Sequence, residues 1–321
     1  MIESFIDSLQ AFPRGLVFVG EGLIVLALAK FAKNLATRHY RAEEDVAVKE
    51  NLAAALRLSG YFIAIILIFL GALWQPASAG WASLSHVFET DGFGFNRELG
   101  DRALWTFLYS LGGIVALNLV RVFFDRLILY KFQLEKVVME DGSVGAGAAE
   151  FGMYVATGLL IAGAVAGDSN TVIVPPLGGN TGYGELDAVL VSLAFFGMGL
   201  ALLTAFALFY QFTAPFNIHD EIKRDNPAAG IALGGNLIAI GMVTFKAVFG
   251  SFFGWGESIA SFLTFGVLGF ALLYVTRALM ALALLPTVRI AQAISSGRSM
   301  GVALVESAVV IASALVLLMA I

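Results

Sequence analysis

The chain has no cysteine, which excludes disulfides, thiolate metal sites and cysteine nucleophiles. Histidine is almost as scarce. His39, His86 and His219 are the only three, and all fall in predicted loops, so a haem held between helices by paired histidines is excluded. Charge is thin as well: Asp, Glu, Lys and Arg make up 13% of the 321 residues, about half the share usual in a soluble domain. No basic patch supports nucleic-acid binding. No nucleotide-binding glycine loop, zinc-binding histidine pattern or nucleophile elbow stands where strand–helix context would support it. The expectation is a non-enzymatic protein with no cofactor and no metal.

What fills the chain is apolar surface. Hydrophobic residues are 59% of it, and the mean hydropathy is +0.86. Runs of roughly twenty apolar residues cross the ~30 Å hydrocarbon core as helices. Eight are present, over residues 15–36, 52–74, 103–124, 145–166, 189–210, 227–249, 259–280 and 301–321. Barrel strands would instead show alternating segments of about ten residues. The opening "MIESFIDSLQAFPRG" carries Glu3 and Asp7 where a signal peptide would be basic, so it reads as retained.

Positive charge lies on one side. Of the 19 Lys and Arg, 14 fall in or beside the loops joining helices one–two, three–four, five–six and seven–eight. Only Arg14, Arg97, Arg102 and Lys246 fall on the other side, and Arg57 lies inside helix two. The positive-inside rule puts the first set in the cytoplasm, with His39 and His219, and both termini and His86 outside.

The sequence then repeats itself. Asn51 opens "NLAAALRLSGYFIAI" and Asn226 opens "NPAAGIALGGNLIAI", with eight of fifteen positions identical and no gap. "FVGEGLIVL" from Phe18 resembles "FFGMGLALL" from Phe195. Gly113, Leu117 and Arg121 align with Gly269, Leu273 and Arg277, and Ser143, Gly145 and Glu150 align with Ser299, Gly301 and Glu306. The chain is therefore read as an all-α integral membrane protein of two four-helix repeats, 1–167 and 188–321, joined by an outer linker at 168–187. Four is even, so the repeats are parallel, with a pseudo-twofold axis along the membrane normal.

Each even-numbered helix starts at a capping residue: Asn51, Ser143, Asn226 and Ser299. Pro227 follows its cap at the first helical position, where a missing N–H costs nothing. Counted from the cap, positions +2, +6, +9 and +13 form a seam of small residues that lets helix backbones approach. The seam includes Gly60, Gly152, Gly235 and Ala308 at +9, and is read as packing.

These residues resemble the YjfL-type family of bacterial inner-membrane proteins, catalogued as a domain of unknown function. The nearest stretch is "TAPFNIHDEIKRDNPAAGIALGG", Thr213 to Gly235. The first unit departs from it, since "TRHYRAEEDVAVKENLAAALRLSG" lacks the proline and its fourth helix starts at Ser143 rather than asparagine. The resemblance implies a four-helix unit, here in tandem, and a bacterial inner membrane. It brings no activity and no catalytic residues.

Ionisable groups inside a bilayer are functional candidates. Glu150 and Glu306 lie seven residues past their caps, about 10 Å into the helix. Arg57, at +6 of helix two, matches their depth, so an Arg57–Glu150 pair is expected beside the alternative that Arg57 snorkels to the interface. The second half has Ala232 there, leaving Glu306 free to titrate. Glu21 sits between Gly20 and Gly22, with Met198 in its place in the second half. Arg121 and Arg277 read as interfacial anchors. Two functions fit. One is a small-ion or proton-coupled carrier or channel, with Glu150 and Glu306 near the repeat axis and Arg57 and Glu21 as modulators. The other is a membrane scaffold or complex subunit. The lipid bilayer is the expected partner, and the seams would receive either another copy of the chain or a subunit of a membrane complex.

Overall fold

The computed structural model describes residues 2–36, 46–74, 97–127, 134–166, 184–214, 216–250, 252, 254–284 and 289–320. His39, His86 and most of the linker 168–187 lie outside them. All regular structure among the described residues is helical. Eight long helices carry windows long and apolar enough to cross a membrane. They are α1 (Ile2–Ala36), α2 (Leu52–Leu73), α3 (Arg97–Leu127), α4 (Val144–Val165), α5 (Gly184–Thr213), α6 (Pro227–Val248), α7 (Trp255–Leu284) and α8 (Met300–Ala320). The odd helices run well past their apolar windows, α1 reaching 35 residues, because nothing in the bilayer boundary itself stops a helix. Hydropathy locates the span, not the helix end.

The even helices hold the core. Their main interfaces run in a row, α2 on α4, α4 on α6, and α6 on α8, with α1 and α3 against one end and α5 and α7 against the other. One register recurs at every step. At the first two steps the seam of one helix meets positions +4, +8 and +15 of the next, and at the third it meets +8. A Cβ added at Gly60 on α2 would lie 2.7 Å from the Phe151 Cα on α4, and one at Gly158 would lie 2.6 Å from the Ala64 Cα. Gly152 on α4 meets the Gly234 backbone on α6, and Gly235 on α6 meets Ser307 on α8. Apolar lipid gives no hydrophobic drive between helices, so close backbone approach and its dispersion contacts hold the row together. Across the last step Ser307 Oγ also donates to the Ile231 carbonyl, 3.0 Å away.

The fourth seam departs from the sequence expectation. Gly301, Val305, Ala308 and Ala312 on α8 are all exposed, and a Cβ at Gly301 would meet no atom of the described residues within 4 Å. α8 is the end of the row, so no helix among the described residues follows to cover its seam. Ala308 is therefore not a packing residue here. The contact between the two halves is one-sided: α4 gives its seam and α6 its opposite face, as at the other two steps.

Caps set the start of every even helix. The Asn51 side chain accepts from Ala54 N at 3.0 Å, Ser143 from Ala146 N at 3.3 Å, Asn226 from Ala228 N at 3.1 Å and Ser299 from Val302 N at 3.4 Å. The residue before each cap is left-handed: Glu50 (φ 51°), Gly142 (φ 67°), Asp225 (φ 50°) and Arg298 (φ 48°). Three short helices, Leu134–Met139, Ile218–Lys223 and Ile290–Ser295, lie before α4, α6 and α8. The asparagines tie two of them down. Asn51 Nδ2 donates to the Val138 carbonyl at 3.0 Å, and Asn226 Nδ2 donates to that of Ile294 at 2.8 Å.

Candidate functional site

Glu150 sits on α4 with its side chain fully buried, and two arginines reach it. Arg57 Nε from α2 lies 3.0 Å from Oε2, and Arg121 Nε from α3 lies 4.0 Å from Oε1. The three side chains are 0%, 3% and 8% exposed. Depth explains the meeting: α2 and α4 run the same way from their caps, so +6 and +7 lie at one level. Arg57 Nη1 and Nη2 are buried and make no hydrogen bond with any described residue.

A second polar layer lies one turn further from the caps. Tyr61 and Tyr154, four residues past Arg57 and Glu150, meet edge to face with ring centroids 5.5 Å apart. Asn118 on α3, three residues before Arg121, donates to the Tyr61 hydroxyl at 3.3 Å. That hydroxyl donates to the Ala29 carbonyl at 3.0 Å. Lys33 on α1 completes the layer, donating to the Tyr154 hydroxyl at 2.6 Å with its ammonium 4.9 Å from the Tyr61 centroid. All four helices of the first half thus feed one buried centre. Burying charges at this depth is tolerated only where they are paired or hydrogen-bonded.

The second half keeps a reduced version. Glu306 on α8 is hydrogen-bonded by Arg277 Nη2 on α7, and the Arg277 guanidinium lies 5.2 Å from the Tyr210 ring centroid. Asn236 Nδ2 donates to the Tyr210 hydroxyl at 3.2 Å. Ala232 replaces Arg57, Asn236 replaces Tyr61, Tyr274 replaces Asn118, Val310 replaces Tyr154, and Tyr210 replaces Lys33. The second centre therefore has one arginine where the first has two.

Three expectations are corrected by this geometry. Glu306 is not left without a partner: Arg277, seven residues beyond the Phe270 ring, supplies one. Arg121 and Arg277 are partners of the two carboxylates rather than interfacial anchors, with Arg121 7% exposed. Glu150 and Glu306 do not share a site near an axis, because α4 and α8 pack on opposite faces of α6. Glu21 is buried too, but lies twelve residues before Lys33 on α1, about 18 Å along the helix. It stands apart from both centres. Sequence reasoning missed Lys33, Tyr61, Tyr154 and Asn118. The signal that could have found the two Arg–Glu pairs is their spacing, 29 residues in each half.

Among the described residues no group of three or more His, Cys, Asp or Glu could hold a metal ion. No solved structure matches the chain. A UPF0719 transmembrane protein of Aquifex aeolicus (strain VF5) is similar to it, 21% identical over 217 residues. That match takes in 68% of this chain and just under two thirds, 66%, of the relative. Residues 7–165 and again residues 185–321 match the family described as Domain of Unknown Function (DUF350). With two copies of that domain covering nearly all of its length, the chain is a transmembrane protein belonging to the DUF350 family.

Proposed function

We propose that the protein carries a small ion across the membrane, and that Arg57, Arg121 and Glu150 are the groups that hold it. The observation behind this is Arg57. Its guanidinium is buried with Nη1 and Nη2 unbonded, at a place where the second half builds the same helix around Ala232. The fold unit does not need an arginine there, and buried guanidinium nitrogens left without a hydrogen bond cost stability. A group kept at such cost fits a functional centre better than a structural one. The second half, with its single Arg277–Glu306 pair, serves as the structural counterpart.

The Lys and Arg distribution supports a bacterial inner-membrane setting with the capped ends of the even helices toward the cytoplasm and both termini outside. Labelling of Ser85→Cys by an impermeant reagent in intact cells fits this orientation. Labelling only after the cytoplasm is opened overturns it.

Flux in liposomes tests the main reading, with proton, potassium and chloride gradients applied in turn to the parent, Arg57→Ala and Glu150→Gln. The parent should pass at least one of the three, and Arg57→Ala should lose that flux while melting like the parent. No flux through the parent removes the carrier, and equal flux through Arg57→Ala removes Arg57 from the site. A second reading, a membrane scaffold, is favoured by the exposed seam of α8 and gains if the parent is silent.

A further inference from the structure

The helix row stops at both ends in surfaces that its own interior shows how to cover. At the α2 end, a groove of about 480 Å³ runs between α1 and α2, lined by Leu26, Lys30, Phe62, Ile63 and Ile66 among others. The repeat places Leu203, Ala207, Leu237, Ile238 and Gly241 at the same positions between α5 and α6. There the groove is filled. Leu203 and Ala207 are 0% exposed and Leu237 2%, and a Cβ at Gly241 would lie 2.6 Å from the Ala156 Cα of α4. What fills it is α4, seam inward.

At the other end α8 carries the matching face uncovered. Leu160 on α4 is 0% exposed and lies against Gly199 of α5, whereas its counterpart Val316 on α8 is 65% exposed. The whole α8 seam, from Gly301 to Ala312, is exposed with it. So among the described residues one groove lacks the helix that fills its twin, and one helix has a twin that fills such a groove.

We propose that a second copy of this chain supplies the occupant: α8 of one copy packs between α1 and α2 of the next, in the register of α4 between α5 and α6. The contact is heterologous, so copies join head to tail into a ring or an open row. The register fixes the pairs. Within the chain, +9 of one helix meets +8 of the next at Gly60–Phe151, Gly152–Gly234 and Gly235–Ser307. Between copies this puts Ala308 against Ser59. The Ser59 hydroxyl, which now donates to the Ala55 carbonyl at 2.8 Å, takes the place Ser307 has against Ile231 and turns to the Leu304 carbonyl of the neighbour.

The chain has no cysteine of its own, so disulfide trapping is clean. Ala308→Cys and Ser59→Cys chains are co-expressed in one membrane and oxidised, beside each alone and beside Met319→Cys paired with Ser59→Cys. Ala308 and Ser59 are both exposed, so the substitutions leave folding intact, and melting of each purified variant checks it. A linked dimer should form only when Ala308→Cys and Ser59→Cys are both present, and one chain carrying both should give a ladder of higher species. Absence of the dimer, equal linking by either variant alone, or equal linking from Met319→Cys overturns the proposal and leaves lipid as the cover of both faces.

Discussion

Gly152 on α4 and Gly234 on α6 touch backbone to backbone, and a Cβ on Gly152 would overlap the Gly234 main chain. Nothing flexible stands between them to give way. Gly152→Leu should therefore cost on the order of 3 kcal/mol or prevent folding, because the added side chain must push two helix axes apart. Gly301→Leu occupies the same seam on α8 but meets open space, and should change the stability of the purified monomer by less than about 0.5 kcal/mol. Melting of the two detergent-purified variants separates the effects. Equal losses would mean that seam position alone, rather than what covers it, sets the penalty.

That contrast marks how far the sequence could be read. The eight spans were legible because a membrane helix needs only a run of apolar residues, a property of the segment itself. The starts of α2, α4, α6 and α8 were legible for a similar reason, since capping is chemistry within three residues of the cap. Exposure of the α8 seam was not. Gly301, Val305, Ala308 and Ala312 look like the buried seam of α4, and only the position of α8 at the end of the row makes them different. The Arg277–Glu306 pair was missed because an arginine near a helix end fits the interface as readily as a neighbouring helix. The six-residue helices before α4, α6 and α8 are too short for periodicity to declare.

The two buried carboxylates should respond differently to neutralisation. Glu150→Gln strands Arg57 and removes the charge facing Arg121, in surroundings where neither arginine can turn to water. A loss of about 3–5 kcal/mol is expected from breaking so buried a pair. Glu306→Gln strands only Arg277, whose side chain is 25% exposed and so less enclosed than Arg57. Its loss should be clearly smaller. Arg57→Ala together with intact Glu150 and Arg121 rebuilds the second-half arrangement and should melt close to the parent. A larger loss in Glu306→Gln than in Glu150→Gln would contradict the ranking.

Asn226 joins three elements through one side chain. Its Oδ1 caps α6, while Nδ2 donates to Glu221 Oε2 at 2.7 Å and to the carbonyls of Ile294 and Ser295 at 2.8 and 3.2 Å. Asn226→Ala loses the cap and leaves buried carbonyls unpaired, about 2–3 kcal/mol together. Ser299→Ala loses a cap alone, about 1 kcal/mol. Asn226→Asp tells the roles apart, since it keeps the acceptor but sets a carboxylate against Glu221 and two carbonyls. It should recover none of the loss. Recovery to the parent melting temperature would show that capping is all Asn226 does.

The left-handed residue ahead of each even helix gives a test free of packing. Glu50 holds φ 51° and Gly142 holds φ 67° at equivalent places before α2 and α4. A residue with a Cβ pays about 1 kcal/mol to stay there, and glycine pays almost nothing in the folded state. Glu50 is exposed, and a Cβ on Gly142 would meet no atom within 4 Å, so exchange at either site changes the backbone preference and little else. Glu50→Gly should raise stability by about 0.5 kcal/mol, the folded-state gain being partly offset by the freer unfolded chain. Gly142→Ala should lower it by about 1 kcal/mol. Opposite shifts of the melting temperature in the two variants are the expected outcome. If both shifts have the same sign, the left-handed step does not govern how these helices begin, and the recurrence of positive φ before all four caps would need another cause.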